Sequence, residues 1–431
     1  MAANYPVGEL IETSIGGGWG ADELEDDSSP VAVIRGTDIP RLSRGDFSSV
    51  PRRFESNRKI RTRLLEVGDI VLEVAGGSAA RGQYTGRTLL VTTEILEILG
   101  PAICASFCKR LVLRKDLIDP LYFFYFMQDL YKSGRVADYD SQSTGISNFQ
   151  FAAFMTNEML ELPPREIQAA LSTPLELVDQ KILSNRGLAN TLESIAQTLF
   201  RSWFVDFDPV RAKMAGEKPA GMDDATAALF PDSMEESELG QIPAGWTSGS
   251  LGDLIEIHDS KRIPLSSAQR KARKGIYPYY GATGVLDYVD SALFSGPHVL
   301  VGEDGTVITD RGTPVIQYVW GDFWVNNHAH VLTGKGHIST QYLKLFLQTV
   351  DVSNYITGAV QQKLNQGNLR SIPAVVPQPP LTEIFDRFVS SIFLELQSLD
   401  EESHSLVAIR DALLSRLISG ELEVPEDLLV S

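Results

Sequence analysis

Residues 171–203 read LSTPLELVDQKILSNRGLANTLESIAQTLFRSW, and the spacing of their apolar residues decides the fold. Leu171, Leu175, Val178, Ile182, Asn185, Ala189, Leu192, Ala196, Leu199 and Trp203 follow one another in steps that alternate four and three. That alternation is the seam of a coiled-coil helix, held here for about four heptads. Phe385, Val389, Ile392, Leu396, Leu399, Leu406, Leu413 and Leu417 repeat it at the same phase, with Ser403 and Arg410 as polar interruptions. A seam needs a partner, and the nearest partner for each is the other. The predicted pair is antiparallel, and about 40 residues at 1.5 Å rise give each helix a length of roughly 60 Å. Pro174 stands near the start of the first helix, where it begins a new helix after Thr173 or kinks a continuous one.

The helices belong to a larger repeat. Leu192, Ile195, Leu199, Phe200, Trp203 and Phe204 map at a constant offset of 214 onto Leu406, Ile409, Leu413, Leu414, Leu417 and Ile418. Upstream, Val7-Gly8-Glu9-Leu10-Ile11-Glu12 returns 244 residues later as Leu251-Gly252-Asp253-Leu254-Ile255-Glu256. Thr144-Gly145 and Pro163-Pro164 have counterparts in Thr357-Gly358 and Pro379-Pro380. Each half is therefore a variable globular block, a proline mark and a long helix, with the first block about 30 residues longer than the second. The divisions are 1–163, the helix 164–213, an acidic linker 214–245 read as draped over the surface, the second block 246–379, the helix 380–420 and an acidic tail 421–431. The fold class is α+β: two mixed α/β globular domains joined by two long antiparallel coiled-coil helices, with a pseudo-two-fold internal repeat.

The net charge of −18 argues at first against nucleic acid, but most of the excess acid lies outside the two blocks. Inside them the bases cluster. Arg41 to Arg63 holds eight bases against two acids, and Lys261 to Lys274 holds six with none. A local patch, not total charge, sets affinity for phosphate. Arg52, Arg53, Arg58, Lys59, Arg61, Arg81 and Arg87 are the candidate DNA contacts of the first block. Those of the second are Lys261, Arg262, Lys271, Arg273 and Lys274, the adjoining Tyr279 and Tyr280, and the amide-rich run Gln361, Gln362 and Lys363. Gln and Asn pair with adenine, while Arg and Lys reach guanine or phosphate. For each cluster the competing reading is a solvated basic loop, and for each tyrosine a half-buried sheet position. The candidate helix-pair interface is Leu175, Val178, Ile182, Leu192, Leu199 and Trp203 against Val389, Ile392, Leu396, Leu406, Leu413 and Leu417.

Catalytic chemistry is hard to find. Gly16-Gly17-Gly18-Trp19-Gly20-Ala21 has dinucleotide-loop spacing, but an acidic, proline-terminated stretch follows where a helix is needed. There is no ATP-binding P-loop. The double prolines lead into Arg165 and Leu381, not into the aromatic that stacks on a flipped base in an amino-methyltransferase. His328 and His330 are too few for a metal site at that spacing, and Cys104 and Cys108, on one face if helical, read as reduced thiols of a cytosolic protein. Met1 to Glu12 lacks an export signal, and no apolar run has membrane-spanning length.

The segment from Ala196-Gln197-Thr198-Leu199-Phe200-Arg201-Ser202-Trp203-Phe204 to Asp208-Pro209-Val210-Arg211-Ala212-Lys213 resembles the central conserved region of type I restriction–modification specificity subunits. Arg410-Asp411-Ala412-Leu413-Leu414 with Leu417-Ile418-Ser419-Gly420-Glu421-Leu422 is similar to their distal conserved region. Tyr279-Tyr280-Gly281-Ala282-Thr283-Gly284 and Asn326-Asn327-His328-Ala329-His330 look like a target-recognition-domain subtype. The resemblance implies a non-catalytic reader of a bipartite, asymmetric double-stranded DNA target. It implies two methyltransferase subunits and two ATP-dependent translocase–nuclease subunits as partners, with S-adenosylmethionine, ATP and magnesium bound by those partners and not by this chain. A self-contained DNA methyltransferase and a coiled-coil adaptor that never reads DNA are the competing classes.

Overall fold

The computed structural model describes residues 3–76, 84–143, 146–358, 361–418 and 420–422. Arg81, Thr144-Gly145 and most of the acidic tail lie outside them. Two compact units emerge. The first is built from residues 1–188 and 399–431, the second from 189–398. Each long helix, Arg165–Phe204 and Pro379–Ile418, gives residues to both.

In the first unit the strand Ala3–Pro6 leads through a single helical turn, Val7–Leu10, into the strand Ile11–Gly16. That strand edges a four-stranded antiparallel sheet in the order Ile11–Gly16, Cys108–Leu113, Ile70–Glu73, Thr88–Leu90. A second sheet sets Ser28–Ile34 between antiparallel Arg52–Ser56 and parallel Ala102–Cys104. The helix Pro120–Lys132 starts sharply because Pro120 follows Asp119, whose carboxylate accepts from the Leu121 N–H. It buries Tyr122, Phe123, Phe126, Met127 and Leu130 in the core.

The second unit repeats this plan with other residues. Thr247–Ser250 leads through a turn of helix, Leu251–Leu254, into Ile255–Ile257. Its sheet runs Ile255–Ile257, Ala329–Gly334, His298–Gly302, Ile316–Val319, again antiparallel throughout. The order matches that of the first unit: the opening strand pairs with the last, the last with the second, the second with the third. The helix Thr340–Leu347, capped by Ser339, takes the place of Pro120–Lys132. A further sheet orders Val285–Val289, Lys274–Tyr280, Asp322–Val325 and Phe294–Ser295. Strand pairing thus carries the repeat well beyond the two short motifs that announced it.

Every position of both seams is buried or half-buried. Within the first unit, partners on the second helix descend from Arg410 to Ser403 as the first advances from Asp179 to Asn185, so the helices are antiparallel there. Asn185 donates to Glu402 Oε2 at 2.8 Å and faces Ser403, a polar layer inside an apolar seam. Within the second unit Phe200, Trp203 and Phe204 pack edge-on or tilted against Phe385. The first helix runs unbroken through Pro174. In the turn that the proline weakens, the Ser172 and Thr173 hydroxyls donate to the Gln168 and Ala169 carbonyls.

Two expectations change. The segment read as an acidic surface linker is folded into the second unit. It forms the helix Asp224–Ala228 and a hairpin of Met234–Ser237 with Gly240–Pro243. The long helix before it ends at Phe204, so that Asp208–Met214 stands as a separate short helix. Phe230 and Ile242 are buried with Val210, Trp203 and Trp246, and the Phe230 ring meets Trp203 edge-on at 5.1 Å, while Met214 and Leu239 stay exposed. Cys104 and Cys108 are not helical neighbours. One ends a strand and the other begins the next, both are buried, and burial pushes the Cys104 thiol up to about 11.

Candidate nucleic-acid interface

In the first unit the basic run divides between different jobs. Arg53 is spent locally: its guanidinium sits 4.7 Å from the Trp19 ring centre and pairs with Asp22, which leaves its side chain 13% exposed. Arg52 donates to the Leu99 carbonyl at 3.0 Å. The short helix Asn57–Arg63, stacked on that strand, carries Arg58, Lys59 and Arg61 on its exposed side, and Lys59 also reaches Glu55 at 3.1 Å. Arg87 forms a two-pronged pair with Glu73, which is almost wholly buried, and this pairing raises the pKa of the guanidinium. Arg87 is therefore corrected from a phosphate contact to an internal tie, since a guanidinium matched on both prongs has little left to offer a ligand. Arg81 stands outside the described residues.

The Gly-rich loop is explained by close approach. The Gly17 N–H donates to the Cys108 carbonyl and the Gly18 N–H to that of Cys104, and a Cβ on Gly17 would stand 2.1 Å from the Ala105 carbonyl oxygen. The glycines let this loop lie against the turn joining two strands, and no helix follows to hold a dinucleotide.

In the second unit Tyr279 is 1% exposed, and its hydroxyl accepts from the Leu265 N–H at 2.9 Å. It is a core residue, which corrects its reading as a base-stacking surface. Tyr280 is half-buried, edge-on to Phe323 at 5.8 Å. Arg273 lies over the Trp324 ring and pairs with Asp290, and Lys274 pairs with Asp287. Lys271 is exposed.

The remaining candidates gather around a buried hub that sequence reading missed. Arg262, on the turn after Asp259–Lys261, is 13% exposed. It donates to Glu303 Oε2 at 2.9 Å and to the Ala329 carbonyl at 2.7 Å, and lies 3.3 Å from Asp259. His330, 1% exposed, meets Asp259 Oδ2 through Nδ1 at 2.6 Å and the Leu364 carbonyl through Nε2 at 2.8 Å. Burial alone would raise the Asp259 pKa, but the His330 hydrogen bond, the Val331 N–H and the Arg262 charge hold it below the usual carboxylate range. Arg262 is thereby corrected from a DNA contact to the centre of this hub.

Asp259, Glu303 and His330 place donor atoms within 4.8 Å of one another, as a metal site would. The chemistry of the set does not fit a cation. Arg262 already lies against both carboxylates, and both His330 ring nitrogens are engaged, one by Asp259 and the other by the Leu364 carbonyl.

What the hub holds is a rim. Leu364 N–H donates to the Glu303 carbonyl, Gly305 N–H to that of Gln362, and Thr357 and Lys363 exchange backbone hydrogen bonds. The loop bearing exposed Gln361, Gln362 and Lys363 is thus pinned beside the turn at Glu303 and Asp304. Lys363 lies 3.7 Å from Glu303, and exposed Lys261 sits on the turn that carries Asp259. Lysine and amide side chains on a rigid, exposed edge are suited to phosphates and base edges. The one sequence signal for the hub was the pair His328 and His330, and it was set aside as too few for a metal because the carboxylates His330 meets are distant in sequence.

Comparison with known proteins places this geometry. Residues 243–401 match the type I restriction modification DNA specificity domain. A putative type I restriction enzyme specificity subunit of Haemophilus influenzae is 34% identical over 132 residues, which is 31% of this chain and 33% of that protein. The MjaIX specificity subunit of Methanocaldococcus jannaschii is 23% identical over 74% of this chain and 72% of its own. The crystal structure of the type I restriction–modification S subunit from M. genitalium superposes with a TM-score of 0.53 at 15% identity, covering 97% of this chain and 96% of that one. The fold is that of the M. genitalium S subunit, with two units that repeat one sheet order. The chain is similar to the specificity subunits of type I restriction–modification systems, most directly over residues 243–401.

Proposed function

We propose that this chain is the sequence-reading, non-catalytic subunit of a type I restriction–modification complex, and that it reads a bipartite, asymmetric DNA target. Residues 1–163 serve one half-site and residues 246–379 the other. The observation that carries this reading is the shared sheet order in two units whose rims differ. The first presents Arg58, Lys59 and Arg61 on a short helix, the second Lys261, Gln361, Gln362 and Lys363 around an ion-pair hub. Equivalent scaffolds with unlike reading edges favour two unlike half-sites. Two methyltransferase subunits and two ATP-dependent restriction–translocase subunits are its partners, in the cytoplasm, and they bind S-adenosylmethionine, ATP and magnesium. The outward faces of the long helices, where Leu177, Leu188, Leu394 and Ile409 are exposed, are the docking surface we assign to the methyltransferases.

The test is the methylome of cells that co-express the chain with its cognate methyltransferase. One bipartite, asymmetric, adenine-methylated motif is expected. With the reconstituted complex, replacing Arg58, Lys59 and Arg61 by Gln should weaken binding across sequences. It should also shallow the salt dependence by about one unit of slope for each phosphate that is no longer neutralised. Methylation of DNA by the purified chain alone would establish an enzyme instead. Salt-independent binding without sequence preference would leave only an adaptor.

A further inference from the structure

The turn Asn326 to Ala329, between the strands Asp322–Val325 and Ala329–Gly334, is held far more firmly than an exposed turn requires. Its backbone is tied from three sides. Asn326 N–H donates to the Tyr280 carbonyl at 3.0 Å, His328 carbonyl accepts from the Glu303 N–H at 2.8 Å, and Ala329 carbonyl accepts from Arg262 at 2.7 Å. Asn326, itself buried, accepts the His328 N–H on its side-chain oxygen at 2.8 Å. All this structure presents two exposed polar side chains, Asn327 and His328, next to the Gln361–Lys363 edge.

The His328 ring is itself aimed. Its Nδ1 lies 2.6 Å from Asp304 Oδ1, and Asp304 is only 20% exposed on its side chain while the histidine is 49% exposed. A carboxylate oxygen only accepts, so Nδ1 carries the hydrogen. In the neutral ring Nε2 is then a lone-pair acceptor, with no hydrogen-bond partner among the described residues. Asp304 sits on the turn that pairs with Lys363, so the carboxylate that orients the ring belongs to the same clamp that positions the amide edge.

We propose that His328, oriented by Asp304, is a specificity-determining residue that reads one base of the second unit's half-site. Its Nε2 accepts a hydrogen bond from an exocyclic amino group, the N6 amino of adenine or the N4 amino of cytosine in the major groove. Asp304 is the positioning residue: it touches no base and acts through the ring. This inference rests on the DNA-reading function above and names one of the residues that perform it.

The experiment uses the complex of the full chain with its methyltransferase subunits and a duplex of its methylome-derived target. Each adenine or cytosine of the second half-site is replaced in turn by the analogue lacking the amino group. Wild type should bind about tenfold or more weakly at one such position. His328→Ala should weaken binding by a similar factor on the normal target and no further on that analogue, while the other half-site is read as before. Asp304→Asn should reduce the same discrimination in part, and His328→Gln, which keeps an acceptor oxygen, should restore some of it. His328→Ala with wild-type ratios on every analogue, or with equally weakened binding to unrelated DNA, overturns the proposal. So does a failure to discriminate at both half-sites. Wild type that prefers no bipartite sequence sinks the DNA-reading function itself, a separate outcome.

Discussion

Arg262 shows how one side chain changes meaning between sequence and structure. In the sequence it is one of six bases in a row without acid. In the fold it is surrounded by Asp259, Glu303 and the Ala329 carbonyl. Arg262→Ala would strip the guanidinium from two largely buried carboxylates, leaving Asp259 with His330 and Glu303 with Lys363 at 3.7 Å. It should cost about 3 kcal/mol, the low end for a broken buried pair. The expected outcome is a fall in the thermal unfolding midpoint of roughly ten degrees for a unit of this size. An unchanged midpoint with weakened DNA binding would restore it as a direct contact. Tyr279→Phe should behave differently. It removes the hydroxyl that accepts from the Leu265 N–H and donates to the Leu265 carbonyl, for about 1–2 kcal/mol, and should leave DNA affinity as it was. The composition of these sites was legible in sequence, but their wiring was not. Asp259 and His330 are 71 residues apart, and only the fold makes them neighbours.

At the scale of elements, legibility followed the length of the pattern. The long helices repeat one spacing over many turns, so their seam could be read residue by residue, and every seam position proves buried or half-buried. The sheets were read only as short strands with glycine turns. Strands of two to seven residues carry too few alternations to fix order or register. The segment after Phe204 was misread for a related reason. Its charged majority dominates composition, while the packing is done by a few isolated residues such as Val210, Phe230 and Ile242. The seam itself can be tested by two leucines on one helix. Leu175 is fully buried and Leu177 is 60% exposed. Leu175→Ala should destabilise by about 2–5 kcal/mol, seen as a lower urea midpoint. Leu177→Ala should stay within about 0.5 kcal/mol of wild type. Equal effects would mean that the four–three spacing does not mark the contact face.

For the whole molecule, the decisive fact is that both long helices give residues to both units. If the units read separate half-sites, the number of helical residues between them should set the length of the unread spacer. Seven residues preserve the four–three alternation, so one heptad inserted after Leu188 and another before Leu399 keeps both seams in phase. Each insertion adds about 10 Å of helix. At about 3.4 Å of duplex per base pair, that corresponds to roughly three base pairs. The methylome of the doubly extended chain should show the same two half-site sequences with the spacer lengthened by about that number. Binding should be weaker, because three base pairs also rotate one half-site about the duplex axis relative to the other. Inserting the heptad in only one helix should abolish methylation, since the seams then mismatch along the pair. An unchanged spacer with altered half-sites would show that the helices hold the readers without measuring the distance between their targets.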